Sequence, residues 1–102
     1  MSKVFGKEPS MNLYKMILEL KDLDECYRFF QDLCTVSELR AMEQRFDVAV
    51  LLQKGMIYNE ILEQTGASSA TISRVNRALN YGVEGYHQVF ARVLGDECVP
   101  PT

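Results

Sequence analysis

Residues 58–79 read YNEILEQTGASSATISRVNRAL, and the fold turns on this stretch. Two helical stripes flank Gly66-Ala67-Ser68. A tight turn between crossing helices needs a residue that tolerates positive φ, which Gly66 supplies. It also needs apolar residues in the second helix that pack back on the first. Ile72 lies six residues after Gly66 and Val75 nine after, at the offsets this packing requires, and Leu62, four before it, is the expected inward residue of the first helix. Alanine is commoner at that position. Residues 57–80 are therefore read as a helix-turn-helix.

On a wheel of about 100° per residue, Ile72, Val75 and Leu79 cluster on one side of the second helix, while Ala70, Ser73, Arg74 and Arg77 gather on the other. Small and basic residues thus face outward. Short side chains at the N-terminal end permit close approach to base edges and thymine methyls. A Ser or Thr hydroxyl can bond a base or a phosphate, and an arginine can reach phosphate or guanine. Ser68 or Ser69 as N-cap leaves free amides aimed at a phosphate. The blander reading is two packed helices of any α-domain, with Arg74 and Arg77 as solvated charges. It does not require the turn glycine, the apolar offsets and the acid-free face to coincide.

Working outward, Thr35 with Glu38 forms a capping box that opens a helix running to Lys54 and stopping at Gly55. Its stripe of Leu39, Met42 and Phe46 broadens into Val48-Ala49-Val50-Leu51-Leu52, apolar on nearly every side. In a chain of 102 residues, a helix enclosed all round points to a subunit interface. Before it, Leu13, Met16, Ile17 and Leu20 mark a helix behind a Ser or Asn cap. Leu23, Cys26, Tyr27, Phe30 and Leu33 or Cys34 mark another, capped by Asp22 or Asp24. After Gly82, Val83, Tyr86, Phe90 and Val93 mark the last helix, and Pro100 and Pro101 lie in a tail. Alternating β-branched runs are absent, so the fold class is all-α, with about six helices.

One domain is expected over 1–102: a flexible N-terminus (1–9), dimerisation helices (10–55), the helix-turn-helix (57–80), a C-terminal helix (83–95) and a tail (96–102). Hydrophobic residues at 47% and charged residues at 25% are ordinary globular composition and exclude a disordered or collagen-like chain. The net charge of −3 argues at first against nucleic acid, which basic domains usually bind. The segment between Gly66 and Gly82, however, holds two arginines and no acid, a local +2 that leaves −5 on the remainder, so the acidity belongs to the scaffold.

Cys26, Cys34 and Cys98 form no C-x-x-C pair and have one histidine, His87, to assist them, so neither a zinc site nor a disulfide framework is expected. Cys26 and Cys34 are read as small buried hydrophobes. No leader-like apolar segment or run of about 18 apolar residues is present, so the expected location is cytoplasmic, without membrane association. No nucleophile–base pair, phosphate loop or metal spacing points to an enzyme.

The chain resembles the Trp repressor superfamily, specifically the shorter Trp repressor-like group of the YerC/YecD type in Gram-positive bacteria. The likeness spans about Thr35 to Leu94. It rests on TVSELRAMEQRF, on the Leu51-Leu52-Gln53-Lys54-Gly55 helix end, and on TGASSATISRVNRAL, which matches the family's L-G-A-x-x-A-T-I-[ST]-R stretch almost residue for residue. The resemblance implies an intertwined homodimer of six-helix chains from which two helix-turn-helix units project. It places Ser69, Ala70 and Ser73 on DNA-contacting positions of the recognition helix. It also places Arg45 and Arg74 on the two arginines that sandwich the indole of L-tryptophan in the Trp repressor, and Thr35 where a backbone carbonyl meets that ligand's amino group.

The pattern departs from the family in three places. A Gly after the second arginine is Val75 here, and a Ser that receives the ligand's amino group is Ala78. Together these changes remove the space and the polar partner that an amino-acid co-repressor needs. No cofactor is therefore expected, and Val75 can fill the cavity instead; whether another small molecule acts as effector stays open. The first helix of the motif lacks the family's basic residues and offers Asn59 and Gln64, which weakens phosphate clamping. Arg45 also admits a structural role, paired with Asp47 or Glu43 or covering apolar surface with its stem.

The expected function is a sequence-specific transcriptional regulator, a repressor in the simplest case, binding double-stranded DNA as a homodimer. Asn59, Ser68, Ser69, Ala70, Thr71, Ser73, Arg74 and Arg77 form its DNA surface. The alternative is a protein-interaction module on a helix-turn-helix scaffold, without DNA binding.

Overall fold

A computed structural model describes residues 8–94, so Cys98, Pro100, Pro101 and most of the N-terminal and C-terminal tails lie outside the described residues. Among the described residues there are six helices and no strand: α1 (Asn12–Ile17), α2 (Leu23–Leu33), α3 (Val36–Gln53), α4 (Tyr58–Thr65), α5 (Ser69–Tyr81) and α6 (Gly85–Val93). The chain divides into two compact units, one ending at Val36 and one beginning at Ser37.

In the first unit, α2 is opened by Asp22, whose carboxylate accepts the Glu25 amide at 2.8 Å, while the Glu25 carboxylate accepts the Lys21 amide at 2.9 Å. The two side chains thereby satisfy orphan donors at the helix start. Asp24, the other candidate cap, instead pairs with Arg28 one turn on, at 2.8 Å. The N-cap of α1 is Met11 and not Ser10 or Asn12; the Ser10 hydroxyl reaches the Asn12 amide at 3.4 Å.

Neither α1 nor α2 contains a fully buried residue. Leu13, Ile17, Leu20, Phe29 and Phe30 are half-buried, while Leu18 and Leu23 remain 83% and 85% exposed. Cys26 and Cys34 are free thiols and only half-buried, which corrects the expectation of full burial. The apolar periodicity of α2 is real, but none of its residues is fully buried.

The second unit holds the core. Val48 and Ala49 of α3, Ile61 of α4, Ala67 in the turn, Ile72, Val75 and Leu79 of α5, and Phe90 of α6 form one buried cluster, with Val50, Leu51, Leu52, Met56, Tyr86 and Leu94 packed around it. Phe90 meets Phe46 edge-on, with ring centroids 5.9 Å apart, and Tyr86 at 5.5 Å. Thr35 immediately precedes α3. In the second half of α3, Val48 and Ala49 are buried and Val50, Leu51 and Leu52 half-buried, while Phe46 and, a turn earlier, Met42 face outward in the single chain. At the C-terminal end, Val83 is 96% exposed and lies outside the expected stripe. Glu84 adopts a left-handed conformation (φ 71°), so α6 starts only at Gly85 and Val83 loses helical register with Tyr86 and Phe90.

The α4–α5 turn is fixed by three local devices. Gly66 closes α4 at φ 74°, a left-handed conformation in which its amide donates to the Leu62 carbonyl. The Thr65 hydroxyl donates to the Ile61 carbonyl at 2.7 Å and accepts from the Ala67 amide at 3.1 Å. From α3, the Gln44 amide donates to the Thr65 carbonyl at 3.2 Å. At the far end of α5, a side chain on Gly82 would collide with the Ala78 carbonyl.

Gly66→Ala should therefore lower unfolding free energy by about 1–2 kcal/mol, since its Cβ strains the left-handed conformation even though the surrounding space is open. Urea unfolding with a constant slope would measure this, and an unchanged midpoint would refute the role given to the turn. Thr65→Val, nearly isosteric, should cost about 1–3 kcal/mol by orphaning the Ala67 amide. Thr65→Ser should recover most of that loss in the same assay.

Candidate nucleic-acid interface

The helix-turn-helix presents α5 by burying its inner face. Ile72, Val75 and Leu79, spaced three and four residues apart, are all buried, while Ser69, Ala70, Ser73, Arg74 and Arg77 are exposed. Arg74 and Arg77 make no ion pair or hydrogen bond among the described residues. The outer face therefore carries two free guanidinium groups and no carboxylate from Ser69 to Tyr81.

Of the two candidate caps, Ser68 takes the position. Its hydroxyl accepts the Thr71 amide at 3.1 Å and lies 3.1 Å from the Thr71 hydroxyl. Both hydroxyls are thus engaged with each other at the head of the helix, and Thr71 is half-buried. The first-turn amides of Ser69 and Ala70 keep no intrahelical acceptor and sit at the positive end of the helix dipole. The exposed side chains of this face that no other group engages are Ser69, Ser73, Arg74 and Arg77, together with the methyl of Ala70.

On α4, Ile61 is the buried residue, and Leu62, expected to face inward, is 41% exposed. Ile61, one position earlier and about 100° around the helix, takes the buried place instead. Asn59 is exposed, as are Glu60 and Glu63, and α4 carries no lysine or arginine.

The residues assigned to a co-repressor pocket are placed as follows. Thr35 is exposed at the head of α3, and Arg45 and Arg74 are both exposed. Arg45 makes no ion pair among the described residues; Glu43, one of its candidate partners, is paired with Arg40. Val75 is buried in the core cluster, and Ala78 lies on the wall of an open apolar cleft of about 530 Å³ with Phe46, Val83, Tyr86, Val89 and Phe90. A second, more polar cleft of about 570 Å³ lies beside the turn, between Arg40, Gln44 and Asp47 of α3 and Gln64 and Thr65 of α4. Neither cleft is lined by Arg45 or Arg74. His87, isolated in the sequence, hydrogen-bonds through Nε2 to the Leu79 carbonyl and so ties α6 to α5. That bond had no sequence signal, because its partner is a backbone atom eight residues away.

Among the described residues no group of three or more His, Cys, Asp or Glu side chains could hold a metal ion. No helix among them is long and apolar enough to cross a membrane.

These features coincide with likeness to known proteins. The chain is 52% identical over 95 residues to an uncharacterised protein, YerC, of Bacillus subtilis (strain 168), covering 93% of this chain and 90% of that one. Its structure resembles that of a TrpR-like protein from Eubacterium eligens, with 49% identity and a TM-score of 0.83 over 92% of this chain and 97% of the other. It also resembles a candidate Trp repressor from Staphylococcus aureus, with 44% identity and a TM-score of 0.77 over 80% of this chain and 82% of the other. The family model described as Trp repressor protein matches residues 10–94, the whole helical region, and the chain belongs to that family.

Proposed function

We propose that the protein is a homodimeric, sequence-specific transcriptional regulator that represses by occluding a promoter. The observation that carries this reading is the outer face of α5: small at its N-terminal end, free of acids, and bearing two unpaired arginines on a helix-turn-helix whose inner face is fully buried. In a dimer, two such helices enter successive major grooves about 34–36 Å apart on a pseudo-palindromic site. Arg74, Arg77 and the first-turn amides hold phosphates and set register, while Ser69, Ala70 and Ser73 face the bases.

Dimerisation is supported by the lack of any fully buried residue in α1 or α2 and by the outward-facing Leu18, Leu23, Leu33 and Val36. Apolar helices left this open are stabilised by a second copy. Val75, inside the core beside Ile72 and Leu79, supports operation without an amino-acid co-repressor. The side chain occupies volume at the position where the family's small residue makes room, and Ala78 offers no acceptor for an ammonium group.

A second reading, a protein-interaction module, draws on α4, where Glu60 and Glu63 are exposed with no compensating base. Pull-down of a partner occupying the Ser73, Arg74 and Arg77 face, together with no DNA affinity, would favour it.

In electrophoretic mobility shift with genomic fragments at low salt, the protein should bind as a dimer, and a dimer that shifts no fragment would refute the DNA reading. Arg77→Ala should weaken all fragments about equally and reduce the slope of log affinity against log salt by roughly 1 per protomer. Adding L-tryptophan should change the affinity by less than about twofold, since no site is left to couple it. A larger change would refute constitutive binding.

A further inference from the structure

We infer that Gln44 is a positioning residue: its bond to the Thr65 carbonyl fixes how the helix-turn-helix sits on α3, and with it the half-site spacing that a dimer accepts. This rests on the dimeric DNA-binding reading above and names the side chain that sets its geometry.

α4 and α5 are each other's principal neighbours, so the motif behaves as a small body seated on the rest of its unit. Much of that seating is apolar. Ile61, Ala67, Ile72, Val75 and Leu79 of the motif share one buried cluster with Val48 and Ala49 of α3 and Phe90 of α6. Apolar contact rewards buried area and has no direction of its own, so it fixes the depth of the seat better than its rotation. Hydrogen bonds supply direction, because they weaken steeply when bent.

Bonds of this kind reach the motif from outside it at both ends. The last carbonyls of a helix have no intrahelical donor. At the end of α4, the Thr65 carbonyl accepts from the Gln44 side-chain amide of α3 at 3.2 Å, across 21 residues of sequence. Near the end of α5, the Leu79 carbonyl accepts from Nε2 of His87 on α6. Gln44 and Thr65 are both half-buried, which limits the competition of water for their bond.

Held at both points, the motif resists pivoting. Without the Gln44 bond, the turn and the head of α5 can swing about the Leu79 end. Ser69 lies ten residues, about 15 Å, from Leu79, so a pivot of about 13° carries the head of α5 by one base-pair step of about 3.4 Å. In a two-fold dimer both heads move, and the separation that matches one turn of DNA is no longer unique.

The test takes the best duplex that the intact protein selects from a randomised pool and inserts or deletes one base pair between its half-sites. The intact protein should bind the altered duplexes about tenfold more weakly, because one half-site is then misplaced. Gln44→Met fills the same space without a donor. It should bind the best duplex about fivefold more weakly, since only part of its population is correctly oriented, and should bind the three spacings within about threefold of one another. Arg77→Ala, which removes a phosphate contact and leaves the seat alone, should weaken all three spacings equally and keep the preference. Gln44→Glu, which keeps the shape and loses the donor, should flatten the preference as Gln44→Met does.

Circular dichroism and sedimentation check that each variant is folded and dimeric. Should both Gln44 variants fail that check, the duplex series on the intact protein still decides, since indifference to spacing would overturn the inference. Equal weakening at every spacing by Gln44→Met would also overturn it, reducing the bond to a contribution to stability and leaving DNA binding intact. If no duplex is enriched at low salt, the DNA-binding reading itself falls, and this one with it.

Discussion

Everything presented to solvent by α5 depends on the burial of Ile72, Val75 and Leu79 in the cluster that also holds Ile61, Val48 and Ala49. The three residues share one face because a helix repeats every 3.6 residues, and hiding that face fixes which residues remain outside. Ser69, Ala70, Ser73, Arg74 and Arg77 are outward-facing as a result of this burial rather than through any contact of their own. The turn serves the same end. Gly66, the Thr65 hydroxyl and the Gln44 amide set where α5 begins relative to α3, so the rotation of the exposed face is determined before any ligand is met.

Much of this was legible in the sequence. A glycine with apolar residues six and nine positions later is a strong constraint, since few other arrangements need that spacing, and the structure places Ile72 and Val75 accordingly. Capping chemistry was legible to within one residue: Asp22 rather than Asp24, Ser68 rather than Ser69. The choice between neighbours depends on backbone conformation, which composition does not encode. The Leu62 expectation failed for a related reason. A pattern drawn from smaller residues does not say what a helix does when the inward position holds a leucine, and here the adjacent isoleucine takes the buried place. Val83 was misassigned because nothing in its neighbourhood announces that Glu84 adopts a left-handed backbone, an unusual choice for a residue with a side chain.

Charge illustrates a different limit of sequence averages. A total of −3 describes the chain and says little about the face that would meet DNA, where both arginines are free of carboxylate partners among the described residues. The carboxylates of α4, Glu60 and Glu63, are exposed in the same motif, so the two helices of the motif carry charge of opposite sign. The co-repressor positions separate similarly. Arg45 and Arg74 keep the residue types that the family uses on a ligand, yet Val75 has become part of the hydrophobic core.

The incomplete burial of α1 and α2 bears on how the protein behaves at low abundance. Helices of six and eleven residues are too short to persist in water by themselves, so their order depends on what covers them. If that cover is a second chain, folding of this region and assembly become a single concentration-dependent event. Below the concentration at which chains meet, these helices belong to the least protected part of the molecule and are open to proteases. The ordered fraction of this region would then rise more steeply than the amount of protein made, and dilution alone would loosen it.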